Sequence, residues 1–343
     1  MHPQSPIALT VAVALAAATP GPAQSDGVVV ERVAFAMGTS LRIQAQAESR
    51  GGAVQSSEVA LRAIETAEQR LSTWRDDSEL MQMLQAPVGA ATPASEELCA
   101  ELGKAQRWSF VTARAFDPGV GALVEAYDLR GAGRWPSAQR IAEALSRGGV
   151  ADLDIANGQI SRRKDVRLDA GAFGKGAALD AAAHAMKAAG ALAATLDFGG
   201  QLLLFGAKAD VPVDIADPRD RSRSALRVRV GGGSLATSCN SERRLVVDGR
   251  PLSHILDPRS GRPAEDLGSV TIWATNAFDA DCLSTACFVL GPDAALELVE
   301  RLDGVEIVVM RCQSGSSALT VRLSSGFKDR VTGVLPELDI QSS

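Results

Sequence analysis

The sequence predicts an α+β fold: one intertwined unit in which helices and strands share a core. Three observations carry this. Helical and strand periodicities are mixed along the chain without the strict alternation that marks βαβ units. No internal repeat stands out. No long Gly-, Pro- or Ser-rich linker divides residues 25–343 into halves. With 343 residues, 46% of them hydrophobic and 22% charged, the chain has the composition and length for a substantial core.

The elements follow in order. The N-terminus reads MHPQSPIALTVAVALAAATPGPAQSDG, in which Ile7 to Ala18 form an apolar run followed by small residues and Pro. Residues 1–24 are therefore expected to be a cleaved export signal that delivers residues 25–343 to the periplasm, although no Lys or Arg precedes the run. The run is too short for a transmembrane helix, and no Cys before Cys99 offers an N-terminal lipid anchor. Leu61, Ile64 and Leu71 share the face of one helix, and Leu98, Leu102 and Ala105 that of another, opened by Ser95 with Glu96 and Glu97 in its first turn. Pro136 and Ser137 open a third, stopped by Gly148 and Gly149. A strand is expected in QISRRKDVRLD, ending near Leu168, and then an Ala-rich helix from about Ala177 to Ala189. ALRVRV, SVTIWAT, VEIVVM and ALTVRL read as further strands. RRLVVDGRPLSHIL carries Asp248 and Gly249 between extended runs, a two-residue hairpin turn.

Charge and cysteine usage exclude several functions. The net charge is -6 and no basic run exceeds Arg162 to Lys164, so a nucleic-acid partner is excluded. The five cysteines are odd in number, show no CxxC and lack His partners at zinc spacing, which argues against a disulfide framework or a zinc site. The phosphate-loop, dinucleotide, nucleophile-elbow and zinc-protease motifs are all absent.

Four local constellations remain. In LDAGAFGKGAALD, Gly171, Gly174 and Gly176 surround Lys175 ahead of a helix; open backbone, helix N-terminus and ammonium together suit a phosphate, though such a turn is equally an ordinary structural corner. In ADCLSTA, Asp281 and Thr285 lie four apart on a helix closed by Gly291. That spacing sets a carboxylate and a hydroxyl one turn apart on one face, a pair of hard oxygens that suits Mg²⁺. The same pair also fits a Thr bonded back to its own helix and an Asp placed for the helix dipole. In FAMGTSLRI and LSTWRDDSEL, Met37 with Gly38 offers a flat apolar floor and Trp74 a ring for stacking, unless Trp74 is simply a core residue. Last, LSHILDPRSGRP holds His254, the only histidine of three that is flanked by loop chemistry; it is read either as functional or as a satisfied structural imidazole.

Order and wording of these stretches resemble the ApbE family of periplasmic flavin transferases. The matching phrases are AMGT, LSTWRDDSEL, FDPGVGALV, LDAGAFGKGAALD, LDFGGQLLLFG, LATSCNSER, SHILDPRSGRP and ADCLSTA, spread from Ala36 to Ala286. The resemblance implies an FAD:protein FMN transferase, which attaches the FMN half of FAD through a phosphodiester to a Thr or Ser of an acceptor flavoprotein and releases AMP. It implies Mg²⁺ against the pyrophosphate, held by Asp281, Thr285 and a backbone carbonyl placed at Ala172. It further implies flavin-nucleotide contacts at Met37, Trp74, Asp117, Asp169, Lys175, Thr237 and His254. A membrane would be met only through the acceptor.

In-line attack on phosphorus needs neutralised oxygens and a group that takes the hydroxyl proton. Lys175 supplies charge, and His254 is the candidate for the proton or for clamping a phosphate, with Asp281 the rival base. The chain departs from the family pattern at Cys239 (usually Gly), at Gln201 (usually Asp) and in the Gly119 to Ala122 stretch, positions that bear on substrate fit and acceptor choice. Two other functions share the pocket: a Mg²⁺-dependent FAD pyrophosphatase with water as nucleophile, and a non-catalytic flavin-binding or maturation factor.

Overall fold

The computed structural model describes residues 27–240, 245–312, 319–335 and 338–342; the expected export signal lies outside them, as do Ser241, Glu242 and Arg243 of LATSCNSER. A nine-stranded sheet forms the spine. Its strands lie side by side in chain order: Val28–Ala36, Thr39–Ala47, Ala193–Phe198, Gln201–Phe205, Gly233–Cys239, Gly268–Ala274, Val305–Cys312, Leu319–Leu323 and Leu338–Ser342. Every neighbouring pair is antiparallel except the last. Alternation decides the faces: Leu235 joins one core and Ala236 the other, because successive side chains of a strand point to opposite sides.

Helices Arg50–Leu71, Gly174–Ala188 and Ala277–Leu290 cover one face, burying Ile64, Leu179, Ala182, Phe278 and Leu283 against the sheet. A three-stranded sheet of Val211–Asp217, Asp220–Val230 and Val331–Val334 covers part of the other, through Val228, Val230, Val308 and Val321. The result is α+β, with antiparallel strands sandwiched between helices and a second sheet. A smaller cluster of Leu123, Tyr127, Leu252 and Leu256 joins the Gly121–Tyr127 helix to the hairpin of Leu245–Val247 and Arg250–Leu252.

Local chemistry sets the element ends. Ser95 accepts the Leu98 N–H and Ser137 the Arg140 N–H, so both expected helices start at their capping serines, as Glu96–Val111 and Ala138–Ser146. Asp248 and Gly249 take φ of 52° and 72°, the mirror-image turn that matches strand twist. Two expectations need correction. The strand expected through Leu168 ends at Arg162, because the chain leaves its pairing partner and Arg162 turns inward to the Val166 carbonyl. The Ala-rich helix begins at Gly174, three residues early, so Lys175 lies inside its first turn.

Candidate active site

The site is built where two helices touch. Gly174–Ala188, the lysine helix, and Ala277–Leu290, the aspartate helix, cross at Gly176. A Cβ there would stand 2.4 Å from the Ala277 carbonyl oxygen, so only glycine permits the contact. One turn on, Asp180 accepts the N–H groups of Ala277 at 2.8 Å and Phe278 at 3.0 Å, closing the aspartate helix's first turn from outside. Burial pushes the Asp180 carboxyl above the usual carboxylate range, and these two N–H donors pull it partly back. Asn276 caps the same helix through the Asp279 N–H. The GKGAALD stretch thus positions the partner helix as well as its own, and the one-turn offset of Asp180 from Gly176 is the sequence signal for this role.

This crossing fixes Asp281. The side chain is buried, 5% exposed, and its Oδ2 accepts the Gly176 N–H at 2.9 Å while Oδ1 lies 3.4 Å from Lys175 Nζ. Lys175 is half-exposed beside it, an ammonium at the mouth of a helix N-terminus. Ser284 donates to the Asp281 carbonyl at 3.0 Å, whereas Thr285 approaches that oxygen only at 3.5 Å, the limit of a hydrogen bond. Ser284 therefore makes the back-bond expected of Thr285, and the half-buried Thr285 hydroxyl is held loosely beside Asp281. A carboxylate whose Oδ1 has only a long ion pair, a loose hydroxyl and the nearby backbone of the Ala170–Ala172 turn make a hard-oxygen set that fits Mg²⁺. No group of three or more His, Cys, Asp and Glu able to hold a metal occurs among the described residues, so an ion here would need hydroxyl and carbonyl oxygens beside the Asp281 carboxylate.

Met37 and Gly38 form the tight turn after the first strand, with φ of 45° and 75°, and Met37 packs on the core that contains Ala277. At the same end of the sheet, Gly199 donates its N–H to the Ser40 carbonyl at 3.0 Å. Asp169 caps the Ala170–Ala172 turn by accepting the Gly171 N–H at 2.8 Å, and its other oxygen takes Arg130 at 3.0 Å. Trp74 is no core residue: it is 71% exposed, with the Arg130 guanidinium 4.6 Å above its ring.

His254 lies in the bend after the hairpin, half-buried. Ser253 fixes that bend by donating to Asn240 Oδ1 at 2.6 Å and accepting the Ile255 N–H. Asp257 to Gly261 then closes as a turn, and Tyr127 donates its hydroxyl to the Gly261 carbonyl at 3.0 Å. The route from this loop to Asp281 runs through Ser238, whose hydroxyl meets Ser284 at 2.9 Å two residues before Asn240. Strand alternation is the sequence signal that sets Ser238, and not its neighbour Thr237, toward this helix. Thr237 points to the opposite face, where it pairs with Thr271 at 2.8 Å. Asp117 also stands apart. Its buried carboxylate accepts the Gly119 N–H at 2.8 Å and the Val150 N–H at 2.9 Å, which holds the corner whose Pro118 carbonyl accepts the Asp169 N–H.

Fold and site together define an α+β protein that sets an ammonium, a helix N-terminus and a carboxylate–hydroxyl pair side by side where two helices cross. The chain belongs to the ApbE family, whose model matches residues 37–309. The FAD:protein FMN transferase of Treponema pallidum is 30% identical over 325 residues, 88% of this chain and 88% of its own. That of Escherichia coli K12 is 30% identical over 269 residues, 74% of this chain and 76% of its own. The crystal structure of the ApbE protein of Thermotoga maritima has a TM-score of 0.80 at 29% identity, covering 89% of this chain and 100% of that one. The apo flavinyl transferase ApbE of Pseudomonas stutzeri gives 0.79 at 25% identity, over 91% of this chain and 100% of that one.

Proposed function

We propose that this chain is an FAD:protein FMN transferase. The acceptor's Thr or Ser oxygen attacks the FMN phosphorus of FAD, the pyrophosphate P–O bond to AMP breaks, and the hydroxyl proton passes to a base. The observation that carries this is the convergence of Lys175, the Gly176 N–H and Asp281 at one helix N-terminus, with Thr285 a turn further along.

The chain's own residues divide the work. Lys175 places a positive charge where the pyrophosphate oxygens would lie, and the N-terminus of its helix adds to that field. Asp281, Thr285 and the Ala172 carbonyl would hold Mg²⁺, which supplies further charge neutralisation on the phosphate oxygens. Met37, Trp74 and Asp169 line the approach for the rings and ribose of FAD, and Asp117 supports Asp169 from behind. His254, set by Ser253, takes the acceptor proton. The protein acts in the periplasm, on the reading of residues 1–24 as an export signal.

The test follows AMP release from FAD and Mg²⁺, with and without an acceptor flavoprotein carrying a reactive Thr. AMP should appear only with acceptor, whose mass rises by one FMN unit. Equal AMP release without acceptor would make water the nucleophile and the protein a pyrophosphatase; binding of FAD with no AMP in either arm would leave a maturation factor.

A further inference from the structure

Arg130 has no role in the mechanism above, yet it joins three segments of the site. It follows the Gly121–Tyr127 helix, donates through Nη1 to the Thr73 carbonyl at 3.1 Å and through Nη2 to Thr73 Oγ1 at 2.8 Å, and reaches Asp169 Oδ2 at 3.0 Å. Its guanidinium lies over the Trp74 ring at 4.6 Å. The other Asp169 oxygen holds the Gly171 N–H, four residues before Lys175. Trp74 remains 71% exposed although the guanidinium covers one face of its ring, so the stack still presents a broad planar surface to solvent. A partly exposed ion pair of this kind adds little to stability. Its consequence is geometric: a flat cation is fixed against a flat ring, and both are tied to the turn that leads into the lysine helix.

We propose that Arg130 is a substrate-positioning residue: with Trp74 it forms a two-layer stacking platform, anchored by Asp169, that sets a planar ring of FAD relative to Lys175 and Asp281. This rests on the flavin-transferase reading. The recognising chemistry is an aromatic ring on a cation-backed ring, and either the isoalloxazine or the adenine of FAD supplies it. Plane matters as well as charge, which separates Arg from Lys at this position.

The experiment titrates FAD, FMN and ADP by calorimetry into the full protein and into Arg130→Lys, Arg130→Gln, Trp74→Ala and the double variant Trp74→Ala/Arg130→Gln, each checked for native melting. Arg130→Lys is decisive, because an ammonium can keep the ties to Asp169 and Thr73 while the plane is lost. It should weaken FAD binding about tenfold, raise KM for FAD more than it lowers kcat, and leave the melting temperature near that of the parent. Adding Arg130→Gln to Trp74→Ala should cost little more, since the platform is already gone. Loss confined to FMN assigns the isoalloxazine to the platform, and loss confined to ADP assigns the adenine. Parental FAD affinity in Arg130→Lys, or fully additive losses in the double variant, overturns this inference alone. A parent protein that binds none of the three nucleotides overturns the transferase reading and this inference together.

Discussion

Asp281 is a buried carboxylate with two partners from the lysine helix, and its place in the site is electrostatic rather than space-filling. Asp281→Ala should abolish FMN transfer and weaken divalent-ion binding while the protein still folds, measured by transfer assay, metal titration and circular dichroism. Unchanged Mg²⁺ dependence in the variant would sink the assignment. His254 calls for a different readout, because Ser253 and Asn240 hold its loop whichever role it plays. If it takes the acceptor proton, His254→Ala should bind FAD almost as before and transfer about 100-fold or more slowly, with a deficit that narrows as pH rises and hydroxide replaces the lost base. A phosphate-clamping His254 would instead lose FAD affinity and show no recovery at high pH.

At the scale of elements, the contact between the lysine and aspartate helices leaves no room for a side chain. Backbone atoms of Ala277 and Phe278 occupy the space that a side chain at Gly176 would need. Gly176→Ala should therefore push the helices apart, cost about 1–3 kcal/mol, and reduce transfer as well, because the Gly176 N–H is a partner of Asp281. Chemical denaturation and kinetics on one preparation check both effects. Asp180 is the polar half of the same junction. Its folded carboxyl ionises at a higher pH than the unfolded one, so the folded state keeps the proton longer and stability falls as pH rises from the ordinary carboxylate range through the folded value. Asp180→Asn should remove that slope, and a stability–pH profile with the same acid limb as the parent would contradict it.

Over the whole molecule, the fold brings Lys175 and Asp281, 106 positions apart, into contact on the helix pair that covers the nine-stranded sheet. The core that does this also conceals reactive groups. All five cysteines are thiols outside any disulfide; Cys282 and Cys287 are fully buried on the aspartate helix, and burial pushes the Cys287 thiol up to about 12. In the native protein, iodoacetamide at pH 8 should leave both unmodified while labelling them readily after unfolding, as peptide mass analysis would show. Labelling of Cys287 in the native state would mean that the helix pair opens.

By itself the sequence determined the fold class, the capped starts of the Glu96–Val111 and Ala138–Ser146 helices, the Asp248–Gly249 hairpin and the Asp281–Thr285 pair. These are local facts: a cap, a mirror-image turn and a one-turn spacing each act within a few residues. The family phrases added Ala172, Asp117, Asp169 and Thr237 as expected site residues, but wording says nothing about which way a side chain points. Tertiary structure decided that Ser238 rather than Thr237 faces the aspartate helix, since the direction of a strand residue depends on which sheet face the helices cover. It also decided that Asp117 holds a corner through backbone N–H groups, that Ser284 makes the back-bond and leaves Thr285 beside Asp281, and that Arg130 lies flat on Trp74. Each of these depends on partners 30 or more residues away or on competition between neighbours for one acceptor. Pairing between distant segments is fixed by the packing of the whole core, and no window of sequence contains it.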